Sequence, residues 1–237
     1  MTCPNCRAAM TSLTLEGHYQ RSVVIDLCDQ CQAFWFDGME SLQLQPASVL
    51  ELFRLVGKAG GPARASLSDG ARCPRCKAEL ARTFDQQRSS RFEYRRCPEG
   101  HGRLTSFYNF LREKDFIRPL SAAQIEELRR NVKSINCSNC GAPVDLAKGT
   151  ACAHCSSPLS MLDVGQAEKL VAALQGKVAK AGDVDSALPM NLERAKRDVT
   201  TAFGAFERDP GWYGTASSAG LVNAALGAFS RWLVDRT

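Results

Sequence analysis

Twelve side chains in this chain have the types and spacing to do chemistry, and they fall into three sets of four. Cys3 and Cys6 are separated from Cys28 and Cys31 by a gap of 21 residues. Cys73 and Cys76 are separated by a gap of 20 residues from Cys97, which closes with His101. Cys137 and Cys140 are separated from Cys152 and Cys155 by a gap of 11 residues. A Cys-x2-Cys turn brings two sulfurs and the N–H groups of one tight loop to face a single ion, and two such knuckles supply the four soft donors a tetrahedral site needs. The sets use all 11 cysteines and one of the three histidines, and an odd cysteine count does not fit a framework of disulfides alone. Three zinc ions per chain are therefore expected, bound independently of one another. Iron of the rubredoxin kind uses similar knuckles, so spacing leaves it open.

The same residues argue against catalysis. Thiolate-rich, four-donor sites leave no open metal position and damp the ion's Lewis acidity. No H-x-E precedes a P-C-x-x-C, as a zinc deaminase requires. No glycine-rich phosphate loop and no G-x-S-x-G elbow is present. Glu99, between Cys97 and His101, is a carboxylate inside a knuckle, and one such group is a thin case for acid–base chemistry. His18 and His154 lack ligand spacing and are expected to be structural or exposed. The chain is read as a non-enzyme.

The elements that must position these donors are small. A 237-residue chain with 44% hydrophobic and 23% charged residues has the composition of a globular protein. Punctuation divides it further, into a first ribbon with a short helix (1–57), a flexible linker (58–71), a second ribbon (72–118), a connecting helix (119–135), a third ribbon (136–162) and a helical C-terminal region (163–237). The expected fold class is thus three small, metal-stabilised, β-rich zinc ribbons with connecting helices, followed by an α-helical unit. Ser22–Leu27 and Arg91–Arg96 read as strands that each run straight into a knuckle. Pro46–Lys58 reads as a helix with Leu50, Phe53 and Val56 on one face. Ser121 and Gln124 open another with a capping box, and Ile125, Leu128 and Val132 form its stripe. In the third ribbon the short gap leaves little besides metal to hold it together. Helices are expected over Asp163–Lys180, along Leu192, Ala195, Val199, Phe203 and Phe206, and along Val222, Leu226, Phe229 and Leu233.

Cys28–Glu40 resembles the closing half of bacterial zinc-ribbon proteins of the transcription factor IIB zinc-binding type, which end in a knuckle, a Trp-x-Asp and a Glu that starts a helix. Trp35, Asp37 and Glu40 match that pattern, while Gln32 and Ala33 stand in place of Gly-Gly and Ser41 in place of Leu. Cys97–Gly102 is similar to the C-x3-H-G knuckle of tandem members, and the resemblance implies that His101 is a ligand. The third set resembles short ribbons at the ends of many bacterial proteins. The resemblance implies a zinc-ribbon fold and admits a transcription-related role. Trp35 is expected to pack over the zinc knuckle, with an aromatic edge of Phe34, Trp35 and Phe36 for a partner as the alternative.

Charge narrows the partners. The formal net charge is +5. Two four-thiolate zinc sites and one three-thiolate site together take five charges away, so the loaded chain is near neutral and a general attraction to nucleic acid is not expected. Its distribution is uneven: residues 1–45 hold two basic and five acidic side chains, residues 72–118 twelve basic and six acidic. A non-catalytic scaffold or adaptor is expected, binding a protein partner. Nucleic acid is the alternative, held by Arg91, Arg95 and Arg96 with Arg88, Arg103, Arg112, Lys114 and the interleaved aromatics; the basic ribbon facing the acidic one is a competing arrangement. A thiol redox or zinc-release sensor is a further alternative. No secretory leader or apolar membrane span is visible, and cytoplasmic localisation is expected. Trp212, Phe229 and Trp232 suggest self-association through the C-terminal helices.

Overall fold

A computed structural model describes residues 1–38, 40–59, 67–87, 90–163, 166 and 220–225. The first ribbon contributes β1 (Thr11–Glu16), β2 (Ser22–Cys28) and β3 (Ala33–Phe36), with a 3-10 turn over His18–Gln20 joining the first two. Helices α1 (Glu40–Gln43) and α2 (Pro46–Ala59) follow. The second ribbon contributes β4 (Ala81–Gln87), β5 (Ser90–Arg96) and β6 (Arg103–Ser106), which runs directly into α3 (Phe107–Glu113). Next come β7 (Ile117–Pro119), α4 (Ala122–Asn131), β8 (Ser134–Asn136), β9 (Pro143–Asp145) and β10 (Ser160–Leu162).

The first two ribbons are one body. Their closing strands pair antiparallel, giving a six-stranded sheet in the order β1-β2-β3-β6-β5-β4. The register is Ala33 with Ser106, Phe34 with Thr105, Trp35 with Leu104 and Phe36 with Arg103. Counted from the last ligand of each ribbon, those four pairs read first with fourth and second with third, so a pseudo-two-fold axis passes through the middle of the pairing. The two ribbons on either side of the linker thus share one sheet, and the acidic and basic ribbons meet edge to edge, as in the competing arrangement.

The run Ala-Phe-Trp-Phe is buried on both sides of the strand because both faces of the sheet are covered. Phe34 and Phe36 point into a core with Val23 and Ile25 of β2, Leu52 and Phe53 of α2, and Phe110 and Leu111 of α3. Their rings sit 5.1 and 5.7 Å from that of Phe110. Ala33 and Trp35 point the other way, among Leu104, Leu80 and cysteines of both metal sets. Period-two alternation thus serves two cores at once. Phe34, Trp35 and Phe36 are 0, 1 and 0% exposed, so no aromatic edge is left for a partner there. Each fully buried aromatic is worth about 2–3 kcal/mol of area removed from water.

The third ribbon is also built in. β10 pairs with β7, and the Tyr108 hydroxyl of α3 lies 3.1 Å from Ser160 Oγ. Leu120, Leu128, Ile135, Val144, Leu146, Leu159 and Met161 form a core of their own around Cys137 and Cys152. That corrects the expectation that little besides metal holds this ribbon together. Helix α4 starts at the predicted capping box of Ser121 and Gln124, and Leu128 is its fully buried residue, with Ile125 and Val132 beside it. In α2, Val49, Leu52, Phe53 and Val56 face the core; the Leu50 side chain lies outside the described residues.

Of the expected C-terminal helices, residues 221–225 are helical and return to the body. Gly220 (φ +78) lies against Asn136, and the Val222 N–H donates to Ser138 Oγ at 3.2 Å. Leu221 joins the third ribbon's core and Val222 the main core. The remaining helical stripes, Trp212, Phe229 and Trp232 lie outside the described residues, as do linker residues 60–66.

Candidate metal centres

Each donor set is assembled as spacing predicts, with one ligand atom per residue and all four within 4.8 Å of one another. Sulfur pairs lie at 3.8 Å (Cys3, Cys31) and 3.6 Å (Cys6, Cys28) in the first set. In the second, Cys76 and Cys97 are 3.5 Å apart, and Cys97 Sγ lies 3.5 Å from His101 Nδ1. In the third the spacings are 3.6 Å (Cys137, Cys155) and 3.7 Å (Cys140, Cys152). These are not disulfide distances, and all 11 cysteines are thiols. A tetrahedron with metal–sulfur bonds of about 2.3 Å has sulfur–sulfur edges of about 3.8 Å, so the donors fit one ion each.

The knuckles are made by one backbone device. After each Cys-x2-Cys the next residue takes positive φ: Arg7 (64), Gln32 (47), Lys77 (63), Gly141 (75) and Ser156 (59). At Arg7, Lys77, Gly141 and Ser156 the N–H then bonds back to the first cysteine's carbonyl, as for Arg7 on Cys3 at 3.0 Å and Ser156 on Cys152 at 2.8 Å. One of the five is glycine, so four accept a left-handed conformation that side chains ordinarily avoid. Gln32 does so where the resembled family has glycine. The His101 knuckle differs: Gly100 (φ +74) turns it, and the Gly102 carbonyl accepts from the Cys97 N–H at 2.9 Å.

Crowding splits the thiols' acidities. Hydrogen bonds from Cys28 and Cys31 pull Cys3 down to about 4, while the Cys28 and Cys3 contacts and burial push Cys31 up. Burial would raise Cys97, but hydrogen bonds from the His101 backbone and Cys76 bring it to about 7. Four sulfurs this close cannot all ionise unless a cation sits among them. Asn5 adds a donor, its Nδ2 lying 3.3 Å from Cys31 Sγ. Its Oδ1 accepts from the Ser68 N–H at 2.8 Å, which ties the segment before the second ribbon to the first site.

Trp35, Asp37 and Glu40 form a strap between the two sites. The indole N–H donates to Asp37 Oδ1 at 2.8 Å, and Glu40 Oε2 accepts from the Asp37 N–H at 2.7 Å. The other Asp37 oxygen pairs with Arg75, which stands between Cys73 and Cys76. Burial, then the nearby Asp37 and Asp26, raises the Glu40 carboxyl to about 6. Gly102 completes the junction, since a Cβ there would lie 2.4 Å from the Phe36 carbonyl oxygen and 2.8 Å from Trp35 Cζ2. Spacing did not single out Asn5 or Arg75, although both sit inside a Cys-x2-Cys turn, where side chains must face a ligand or a neighbour.

Most of the basic second ribbon is engaged within the fold. Arg95 is 4% exposed and pairs with Asp69 at 2.9 Å. Arg103 pairs with buried Glu113 at 2.7 Å and stacks on Tyr94 at 4.8 Å. Lys114 donates to the Ser41 carbonyl at 2.6 Å, and burial lowers its pKa. Phe92, Tyr94, Phe107, Tyr108 and Phe110 are buried. Arg91 and Arg96 are exposed, as are His18, Glu99 and His154, and Arg88 lies outside the described residues.

Comparison with protein-family models, with characterised proteins and with solved structures finds no match to this chain. No helix among the described residues is long and apolar enough to cross a membrane.

Proposed function

We propose that the protein is a non-catalytic adaptor whose ribbons are set by zinc and whose surface binds another macromolecule, a protein in the first instance. The observation that carries this reading is the closure of all three donor sets. Each holds four protein donors at tetrahedral spacing, three or four of them thiols, which suits zinc and leaves no coordination position for a substrate. The sets also sit where elements join, with cysteines of the first two in a shared core and those of the third inside its own. Metal in such places contributes folding free energy and holds a surface in shape. Such thiols need a reducing compartment, in keeping with a cytoplasmic protein. Elemental analysis of protein purified under reducing conditions should return about three zinc per chain. A value near one, or iron in place of zinc, would overturn the metal assignment. A partner that co-purifies from the native host and is released on chelation is the expected sign of the adaptor role.

A further inference from the structure

The six-stranded sheet ends differently on its two sides. The β1 edge is approached by the helices: the Gln45 N–H donates to the Glu16 carbonyl at 3.1 Å and Ser48 Oγ to the same oxygen at 2.8 Å. The β4 edge is the last strand of the order, and no other strand among the described residues lies beyond it. Open strand edges are templates for another strand, because their outward N–H and C=O groups seek partners.

The face beside that edge is specialised. Phe84 is 49% exposed, unusual for a phenyl ring in a sheet. It pairs with Glu93 across the strands, and its neighbours on the same face are Arg82 and Arg91, the latter opposite Gln86. Their guanidinium carbons lie 5.0 and 4.7 Å from the ring centroid. Between this face and the third ribbon's last knuckle runs a groove of about 410 Å³, with Arg112 on its wall and Pro158 at its far side. Arg82 is neutralised by Glu93, which accepts from its Nε at 2.8 Å. Arg91 and Arg112 contact aromatic rings and have no acidic partner among the described residues.

From the open edge and the two uncompensated guanidinium groups, we infer that β4 receives an extended acidic peptide segment of the partner as an added strand. This inference rests on the adaptor reading and names its surface. Backbone bonds to the edge would supply affinity, and alternate side chains, about 6.8 Å apart on one face, would enter the groove. There a carboxylate meets Arg91 or Arg112 and an apolar side chain meets Phe84 or Pro158. A continuous phosphate backbone suits the groove less well, because Glu93 and the Cys155 sulfur also line it. A peptide can place neutral residues opposite those two groups, and a polyphosphate chain cannot.

The test uses the full, metal-loaded chain and three labelled probes: a decapeptide alternating Glu and Val, one alternating Lys and Val, and a ten-nucleotide oligothymidylate. The Glu/Val peptide should bind, weaken as salt rises, and slow amide exchange across Ala81–Gln87. Replacing both Arg91→Ala and Arg112→Ala should weaken it about tenfold, two charge-assisted contacts being lost, with metal content unchanged. No binding, equal binding of the Lys/Val peptide, tighter binding of the oligothymidylate, or unchanged exchange in β4 would each overturn the inference. A native partner still held by the double variant would overturn this surface and leave the adaptor reading standing.

Discussion

Gly102→Ala is the sharpest test of the seam between the first two ribbons. The new Cβ would lie 2.4 Å from the Phe36 carbonyl oxygen and 2.8 Å from Trp35, both fixed by the sheet. Carbon and oxygen need about 3.3 Å, so β3 and β6 would have to part by nearly an ångström at the pseudo-two-fold junction. Overpacking costs about 1–3 kcal/mol, and a non-glycine residue at φ +142 about 1–3 more. Gly100→Ala is the internal control, with a positive φ of +74 and no atom within 4 Å of its Cβ. It should cost only the backbone term, about 1–2 kcal/mol. The assay is chemical denaturation of both variants in a zinc-buffered solution, because free metal shifts apparent stability. Gly102→Ala should be the less stable by about 2 kcal/mol or more, with faster amide exchange in β3 as well as β6. Equal stability of the two variants, or exchange confined to the second ribbon, would refute the shared-sheet account.

Cys97→Ser should release more than one equivalent of metal to a weak chelator, because Trp35 and Leu104 couple the first site to the second, and elemental analysis after dialysis reads this directly. Glu113→Ala should cost about 3–5 kcal/mol by stranding Arg103, measured by urea denaturation, and joint replacement by Arg103→Met and Glu113→Leu should recover most of it. Glu40→Gln tests a pKa raised to about 6. A carboxyl raised on folding stabilises below its unfolded value of 4.5 and loses that contribution as pH rises through about 6. Above that pH the variant should therefore gain on the parent by about 1 kcal/mol or less, the group being partly solvent-screened, seen as a difference between the two melting-temperature profiles. Leu221→Ala should cost about 2–4 kcal/mol, read as a lower urea midpoint, if residues 220–225 belong to the third ribbon's core.

The ligands were legible because they are a local matter: Cys-x2-Cys sets two sulfurs in one turn whatever surrounds it. Strands entering the knuckles and the Ser121 capping box were legible for the same reason. The seam was not. β3 and β6 are four residues each, and their pairing joins positions some 70 apart with no local marker. A signal was nevertheless present in Ala33–Phe36, since an uninterrupted apolar run marks a strand covered on both faces. Trp35 packs against the metal-set cysteines as expected, and only the alternative of a spare aromatic edge failed, because the cover comes from another ribbon and from α3. The arginines misled in a related way. Arg95 and Arg103 lie on strands like solvated charges, yet Asp69 meets the first from the segment before the ribbon and Glu113 meets the second from the end of the adjoining α3.

The symmetric register of β3 on β6 has an assembly consequence. An isologous dimer pairs identical patches across a two-fold axis, and here two related halves of one chain do so. Residues 60–66 connect them, so the encounter is intramolecular, at an effective concentration of roughly millimolar for a short tether. Cutting the chain there would turn closure of the sheet into a second-order event. The halves would then reassemble in proportion to their concentration, and at high concentration intact chains could exchange halves, with the same strand pair formed between two molecules.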